Sequence, residues 1–583
     1  MIATQPVYTE KNNCQDCYKC IRECPVKAIR CEDESAWIVH ERCIFCGHCT
    51  QICPVGAKKV RNDLKRAKMI VHTHSNVIVS LAPSWVSEFP EYTPSEMVGA
   101  LKMLGFTEVS ETALGAEEYS RQTAEFLSDN QSGIWISSAC PAVVDLVTKY
   151  FSHLTERILP FHSPMMMHAR LLRERYSPGS HIVFIGPCVA KKTESDEFND
   201  EVKTALTFND LRLWLEDEGI TIDQLKHRDQ DQFFPKQAYK GALYPVDGGM
   251  ITTIKAGTGV TEAAFMTFSG INNIRQALEG LESFKKEGIL FLELMACEGG
   301  CINGPGCAKN GTTALKRLEI ISQTNTRTVA PAELPSPTLE ELLPVDHITR
   351  DFTNHKPVNR NIYTEKEIED ALRDVGKLSP SDELNCGGCG YNSCRDFARA
   401  LLENQAETSM CVSYMRKMAH DKASVLIQKI PLGVVIVDQK LRIIESNRSF
   451  AHILGEEAEM IFDVNPGMSG ADLKKFISYH KIFTSVLLAG QDMVEHDIKE
   501  NGKLLHVSVV SIQKSRIVCG IIRDLQSLDV RDDELIKRTR KVIRENLATV
   551  QKVAYLLGEN ASRNEAMLNS IIESRTKNIS DEE

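Results

Sequence analysis

The sequence predicts a multidomain α/β protein, with a large α/β domain at its centre and smaller α+β domains at either side. Three observations point there. The chain has 583 residues, which at roughly 150 residues per domain suggests about four domains. Between residues 66 and 350, β-branched apolar runs such as Val77-Ile78-Val79 and Ile182-Val183-Phe184-Ile185 alternate with helical segments, the pattern of buried strands joined by crossover helices. The 19 cysteines are clustered, nine of them within the first 53 residues. A hydrophobic share of 42% and a charged share of 25% are those of a globular chain able to bury several cores.

Composition also excludes. Met1 to Asn13 lacks an apolar stretch, so no signal peptide is expected. No apolar run of about 18 residues occurs, so no membrane span and a cytoplasmic location are expected. Clustered cysteines in such a chain point to metal rather than to disulfides. A net charge of −11 disfavours nucleic acid as a partner.

The first domain, residues 1–65, carries two runs: Cys14-x2-Cys17-x2-Cys20-x3-Cys24-Pro25 and Cys43-x2-Cys46-x2-Cys49-x3-Cys53-Pro54. They form an internal repeat, and each half is the bacterial iron–sulfur run, in which the fourth cysteine ligates the other cluster. Cys14, Cys17, Cys20 and Cys53 are therefore assigned to one 4Fe–4S cluster, and Cys43, Cys46, Cys49 and Cys24 to a second. Zinc would need two Cys-x2-Cys pairs, not two four-cysteine runs ending in Cys-Pro. The pattern predicts a bacterial-type two-cluster ferredoxin domain of α+β fold. Cys31 lies outside the pattern and is expected as a small buried side chain.

The second domain, residues 66–355, shows a helix start at Thr93-Pro94-Ser95-Glu96, with Thr93 as cap, Pro at the first position and Glu at the third. The helix is expected to end near Gly105. Five cysteines occur here, in Ser138-Ala139-Cys140-Pro141, Pro187-Cys188-Val189-Ala190-Lys191, Met295-Ala296-Cys297-Glu298-Gly299-Gly300-Cys301, and at Cys307. The first four follow strand-like segments next to Gly or Pro, where turns bring distant loops together. Four thiolates converging from three loops would make a buried metal site.

In order and in detail, these three peptides resemble the three signature motifs of iron–iron hydrogenases. With the doubled ferredoxin run, the resemblance covers roughly residues 1–310. It implies that Cys140, Cys188, Cys297 and Cys301 ligate the cubane of the H-cluster. Cys301 would bridge that cubane to a di-iron subcluster bearing carbonyl, cyanide and azadithiolate. It further implies that Lys191 hydrogen-bonds a cyanide, with Glu194 as its carboxylate partner. Ala82, Pro83 and Ser84 would line the pocket near the other cyanide, and Met295 would lie beside the di-iron unit. Gly259-Val260-Thr261-Glu262-Ala263 resembles the family's Gly-Val-Met-Glu-Ala run and makes Gly259 a cofactor-side residue.

The departures matter equally. Where other family members carry a proton-relaying cysteine before the first ligand, this chain has Ala139, and a methyl group carries no proton. The family's two relay glutamates fall on Thr123 and Phe126 in an ungapped alignment from Gly115-Ala116-Glu117-Glu118-Tyr119. Gly186 replaces a Met, and His162 replaces a Lys before Ser163-Pro164. Ligation stays intact while its surroundings change, a kind of change that commonly alters metal sites about 10–100-fold. Slow, reversible interconversion of dihydrogen with protons and electrons is expected. Glu117, Glu118 and Glu293 have the residue type for a replacement proton path.

Residues 328–362 are Pro- and Thr-rich and read as a linker or irregular connection. The third domain, residues 356–417, opens with a helix expected from Thr364 to Lys377 and continues as Cys386-x2-Cys389-x4-Cys394-x16-Cys411. Gly387, Gly388 and Gly390 allow close backbone approach, and a helix from Arg395 would turn Phe397, Ala398 and Leu401 inward. This resembles the small four-cysteine iron–sulfur domain of electron-transfer and corrinoid proteins. The resemblance favours one further 4Fe–4S cluster; tetrahedral zinc is the alternative.

Residues 418–527 read as an α+β domain. A strand in Pro431–Asp438, a second in Arg442–Asn447 and a helix from Ser449 to Gly455 resemble the start of a PAS domain, with Leu504–Ile512 and Arg516–Arg523 as closing strands. His452, His480 and His496 lack ligand-like spacing. The tail, residues 528–583, reads as helical: Ile543, Leu547, Val550, Ala554 and Leu557 form a 4-3-4-3 stripe, suited to packing on its own domain or to dimerisation and partner docking. No kinase, phosphatase or nucleotide motif follows, so output passes to another protein. Hydrogenase region plus PAS resembles the sensory group of the family. That implies an anaerobe's dihydrogen sensor, exchanging electrons with ferredoxin or a similar carrier, signalling to a kinase or phosphatase, and forming a homodimer. Two alternatives stand: a ferredoxin-linked metabolic hydrogenase, and a non-enzymatic iron–sulfur protein like the hydrogenase-related assembly factors. Lys191 within Pro-Cys-x2-Lys argues against the latter.

Overall fold

The computed structural model describes residues 5–525, apart from 33–34, 131, 226–230, 258–262, 282–287, 328–342, 355, 359–360 and 490–492. The chain forms two compact units, Met1–Met415 and Arg416–Glu583. The first three regions read from the sequence thus pack together as one unit.

The sequence repeat at the N-terminus is also a structural repeat. The helices Lys19–Glu23 and His48–Ile52 each start after a residue in the left-handed conformation, Tyr18 and Gly47, and each ends at the fourth cysteine of its run, Cys24 and Cys53. Two short antiparallel ladders flank them: Val7–Thr9 with Lys58–Val60, and Ile29–Glu32 with Ser35–Ile38.

The central region holds two all-parallel sheets. One runs in the order Glu108–Glu111, Val77–Leu81, His181–Gly186, Val202–Thr207. The other runs Ala264–Ser269, Ile289–Met295, Gly133–Ile136. Every residue of Val77–Leu81 is buried, as a parallel strand covered on both faces requires. The helix Pro94–Met103 has the expected capping box. Thr93 N–H donates to Glu96 Oε2 at 2.8 Å, Glu96 N–H donates to Thr93 Oγ1 at 3.3 Å, and Gly105 takes a φ of +99° beyond the end. Parallel strands share one carboxyl end, and α/β folds place their ligands there. Ala82-Pro83-Ser84, Cys140, Cys188 and Cys297 all follow such ends.

Part of the stretch expected as a linker is packed. Leu343, Ile348 and Phe352 are buried. His162 N–H donates to Ile348 O at 2.8 Å, and Thr349 bridges to Phe161. The helix Glu365–Asp374 carries the Thr364–Glu367 box but stops short of the expected Lys377, because Gly376 turns the chain with a φ of +69°. It packs through Ile368 and Leu372 against Ala398 of the helix Cys394–Leu402.

The second unit is a five-stranded antiparallel sheet in the order Ile443–Ser446, Gly433–Asp438, Ile517–Asp524, Lys503–Gln513, Met493–Glu500. Three helices, Arg448–Leu454, Glu456–Val464 and Lys481–Ala489, lie between its second and third strands in sequence. Their apolar sides cover one sheet face through Phe450, Phe462 and Phe483. A Cβ at Gly520 would sit 2.3 Å from the Phe483 ring. Asn447 caps the first helix and its amide donates to the carbonyls of Ile427, Ile430 and Leu432. The helical stripe expected in 528–583 lies outside the described residues. Among the described residues no helix is long and apolar enough to cross a membrane.

Candidate active site

Three loops bring four cysteines together. Cys140 precedes the helix Pro141–Tyr150, Cys188 follows the strand His181–Gly186, and Cys297 follows the strand Ile289–Met295. Cys301 comes off a turn in which Gly299 and Gly300 take φ of +74° and +98°. A Cβ at Gly300 would lie 2.2 Å from Pro245 O, so only glycine fits. The thiol of Cys297 lies within electrostatic reach of Cys301, Cys188 and Cys140, and that of Cys301 within reach of Cys140, Cys188 and Lys191. Burial, then crowding by one another, pushes the thiols of Cys297 and Cys301 well up and that of Cys188 up to about 11. Four such thiols become thiolates together when cationic metal sits among them. The donor set fits an iron–sulfur cubane.

Beside them, Lys191 opens the helix Ala190–Glu197. Its Nζ donates to Ser163 Oγ at 2.6 Å and pairs with Glu194 Oε2 at 2.8 Å; Ser163 Oγ also donates to Glu194 Oε2 at 2.8 Å. Burial alone would raise the Glu194 carboxyl, but Lys191, Arg350 and Ser163 outweigh it and hold it below the usual range. Arg350 lies 3.7 Å from Glu194 Oε1 and 2.7 Å from Glu197. Ser138, Pro141, Ser163, Thr193, Glu194 and Arg350 line a cavity of about 170 Å³. Ser84 is buried and its hydroxyl has no hydrogen-bond partner, so it is a donor free for an acceptor such as cyanide. Ala82 N–H donates to Ile185 O at 2.9 Å, fixing the Pro83–Ser84 turn at the strand ends. Met295 is buried at the end of its strand. Gly259, with Val260, Thr261 and Glu262, lies outside the described residues. Sequence reasoning gave Ser163 no role and missed Arg350; both act through partners far away along the chain.

The positions of the missing relay are apolar or already committed. Ala139 packs in a cluster with Phe126, Trp135 and Tyr244. The Phe126 ring meets Trp135 at 4.8 Å and Phe161 at 5.7 Å, both edge-on. Thr123 is buried with its hydroxyl beside that of Tyr119. Glu117 accepts from the backbone of Tyr239 and Gly241 at 2.5 and 3.2 Å. Glu118 is held by Arg121 and by Gln122. His162 is buried; burial, then Arg170, drops its pKa to about 3, leaving a neutral ring where the family has a charged lysine. Glu293 is buried, accepting from Thr267 Oγ1 at 3.1 Å and from the N–H groups of Met250 and Ile251 at 3.3 and 3.4 Å. Burial lifts its carboxyl to about 7. The folded protein thus holds this proton more tightly than the unfolded chain. The associated stability is full below about pH 4.5 and is lost as pH rises through about 7. Glu293→Gln is expected to flatten the thermal midpoint against pH between 5 and 8, with a gain at pH 8 of at most roughly 3 kcal/mol; unchanged pH dependence would contradict it.

The remaining cysteines also gather. Cys20 is within reach of Cys14, Cys17 and Cys53, and Cys49 of Cys46, Cys43 and Cys24, the crossed sets assigned from spacing. Cys386, Cys389, Cys394 and Cys411 line one small cavity. Cys31 is buried and donates to Asp16 Oδ1 at 3.3 Å. All nineteen cysteines are free of disulfides. Among the described residues no three His, Cys, Asp or Glu are arranged to hold a single metal ion.

Comparison with known proteins matches this layout. Residues 75–305 match the iron only hydrogenase large subunit, C-terminal domain; residues 6–54 match a 4Fe-4S dicluster domain; residues 382–413 match an Fe-S cluster family. Iron hydrogenase 1 of Clostridium pasteurianum is 22% identical over 322 residues, 46% of this chain and 56% of that protein. The NADP-reducing hydrogenase subunit HndD of Solidesulfovibrio fructosivorans is 25% identical over 326 residues, 45% of this chain and 55% of that one. A cytosolic Fe-S cluster assembly factor of Drosophila mojavensis is 25% identical over 323 residues, 46% of this chain and 67% of that one. The chain spans little more than half the length of the two hydrogenases. An N-terminal ferredoxin-like domain, an α/β H-cluster-type domain and a small iron–sulfur domain are thus matched in turn, and residues 75–305 of the chain are those of an iron-only hydrogenase domain.

Proposed function

We propose that the chain is a sensory iron–iron hydrogenase that binds dihydrogen and turns it over slowly. One observation carries the reading. Four cysteines gather with Lys191 beside Cys188 and Cys301 and fixed by Ser163 and Glu194, while the position of the family's relay cysteine is Ala139, packed among apolar and aromatic side chains. When bound, the H-cluster would supply the interconversion of dihydrogen with protons and electrons. Cys140, Cys188, Cys297 and Cys301 would hold it, Cys301 at the bridge to the di-iron unit. Lys191 would give a charge-assisted hydrogen bond to one cyanide, with Glu194 and Ser163 fixing its ammonium. Ser84 would offer its unpartnered hydroxyl to the second cyanide, and Met295 would wall the pocket.

The other three cysteine sets would hold two ferredoxin-type clusters and one C-terminal cluster, exchanging electrons with a ferredoxin-like carrier. The five-stranded sheet with helices after its second strand supports a PAS-like reading of the second unit. Its apolar core suits a relay to a downstream kinase or phosphatase, and the tail would serve dimerisation or docking. Infrared spectroscopy after loading the di-iron unit tests the reading: carbonyl and cyanide bands are expected. Their absence would favour a non-enzymatic iron–sulfur protein, a reading the likeness to an assembly factor keeps in view.

Turnover far below that of the metabolic enzymes is expected, and Ala139→Cys should change it less than about tenfold. The thiol would still lack the two relay glutamates, whose places are taken by Thr123 and Phe126. Wild-type rates in the metabolic range would sink the sensory reading and leave the ferredoxin-linked one.

A further inference from the structure

The four-cysteine domain is seated on the N-terminal domain by a specific junction. Gly390, directly after Cys389, lies flat against the helix Lys19–Glu23. A Cβ there would be 3.1 Å from Ile21 Cγ2 and 3.2 Å from Arg22 N, and the φ of +93° already demands glycine. Lys27 closes the contact. Its Nζ donates to Ile21 O at 3.2 Å and Arg22 O at 2.6 Å on one side, and to Gly390 O at 2.9 Å on the other. Three carbonyls take all three of its protons. Arg42 pairs with Glu403 at 2.7 Å, and Cys31 N–H donates to Gln405 O at 3.2 Å, so the two domains meet along a seam rather than at a point.

Tyr391 stands in this junction. It lines the cavity of Cys386, Cys389, Cys394 and Cys411 and is 6% exposed, yet its hydroxyl has no hydrogen-bond partner. A buried, unpaired donor costs about 1–3 kcal/mol unless an acceptor meets it, and the sulfur of a cluster is such an acceptor. Both Lys27 and Tyr391 lie within electrostatic reach of Cys24 and of Cys389. Cys24 belongs to the set of Cys43, Cys46 and Cys49. On its other side, that set approaches the H-cluster cysteines, Cys46 lying near Cys140 and Cys297.

We propose that Lys27 and Tyr391 are positioning residues shared by the Cys24/Cys43/Cys46/Cys49 set and the Cys386/Cys389/Cys394/Cys411 set. They make these two sites coupled neighbours and make the Cys24 set the branch point of the chain. The inference rests on the reading of the C-terminal four cysteines as an iron–sulfur site. It places the route from the H-cluster domain to the C-terminal region past Cys24; Cys14 and Cys20 of the other set pack in the same apolar cluster as Tyr391 and Cys411, and that set is the competing route.

The test uses the full chain with its iron–sulfur clusters reconstituted, titrated with dithionite and followed by electron paramagnetic resonance. Signals are assigned by one Cys→Ser replacement per set, at Cys17, Cys49 and Cys386. A positive charge or a hydrogen bond beside a cluster favours its reduced form. Lys27→Met is therefore expected to lower the midpoint potentials of the Cys24 and Cys389 sets together, to weaken the magnetic interaction between them, and to leave the Cys14 set unmoved. Lys27→Arg should restore both. Tyr391→Phe, which removes one hydroxyl and keeps the ring, should lower the potential of the Cys389 set with no loss of iron. It carries the test alone if Lys27→Met sheds iron. Full iron with unmoved potentials in these variants, or a shift confined to the Cys14 set, overturns the inference. Zinc in place of iron at the C-terminal set would instead overturn the underlying reading, and the inference with it.

Discussion

Cys301→Ala is expected to remove the carbonyl and cyanide infrared bands from the loaded protein and to take dihydrogen turnover below detection. The iron–sulfur signals of the other three cysteine sets should remain. Cys301 lies within reach of Cys140, Cys188 and Lys191, and under the proposed function it is the ligand that would join the cubane to the di-iron unit. Its position depends on the Gly299–Gly300 turn, in which a Cβ at Gly300 would lie 2.2 Å from Pro245 O. The one competing thiol is Cys307, which also lies within reach of Cys301. Cys307 is buried beside Glu88. The double variant with Cys307→Ala settles the point. Bands that survive Cys301→Ala and vanish only in the double variant would mean that Cys307 steps in. Bands surviving both would refute the ligand assignment.

The parts of this protein legible in its sequence are those fixed by short spacing. The two four-cysteine runs repeat within a few residues, and the helices Lys19–Glu23 and His48–Ile52 repeat with them. The capping boxes at Thr93 and Thr364 are local and recur as read. Lys191 is legible through the resemblance of Pro187-Cys188-Val189-Ala190-Lys191 to a family motif. What escaped was long-range. Arg350 reaches Glu194 from a Pro- and Thr-rich stretch whose composition resembles a linker, yet Ile348 and Phe352 anchor it in the core. The strand Met493–Glu500 escaped for another reason. It reads Met-Val-Glu-His-Asp-Ile-Lys-Glu, mostly charged and exposed, because it is a sheet edge pairing on one side only. Charge on an edge strand guards against unwanted pairing and hides the strand from a hydrophobicity pattern. The fold of the H-cluster domain followed from apolar runs, but the arrangement of its two sheets did not, since strand order is set by crossovers that leave no local signature.

Lys192→Met is expected to destabilise the first unit by about 3–5 kcal/mol, whereas its neighbour Lys191 serves the candidate site. Both lysines sit in the first turn of the helix Ala190–Glu197, about 100° apart around the axis. Lys191 turns to Ser163 and Glu194. Lys192 turns inward and is wholly buried, donating to Asp63 at 2.9 Å, Asp210 at 3.2 Å and Ala205 O at 2.9 Å. Asp63 is also held by Arg61 at 3.0 Å, and Asp210 caps the helix Phe208–Asp217. Methionine matches the lysine stem in bulk but carries no charge, so it leaves two buried carboxylates facing each other across its thioether. Their desolvation is then no longer offset, which is the costly way to break a buried network. Glu194, by contrast, keeps Ser163 and Arg350 when Lys191 is replaced, so Lys191→Met should cost clearly less than Lys192→Met. The triple variant Lys192→Met, Asp63→Asn, Asp210→Asn should recover part of the loss, because neutral amides no longer need a buried cation. A Lys192→Met melt matching that of Lys191→Met would show that the ion pairs between Asp63, Lys192 and Asp210 do not hold the domain together.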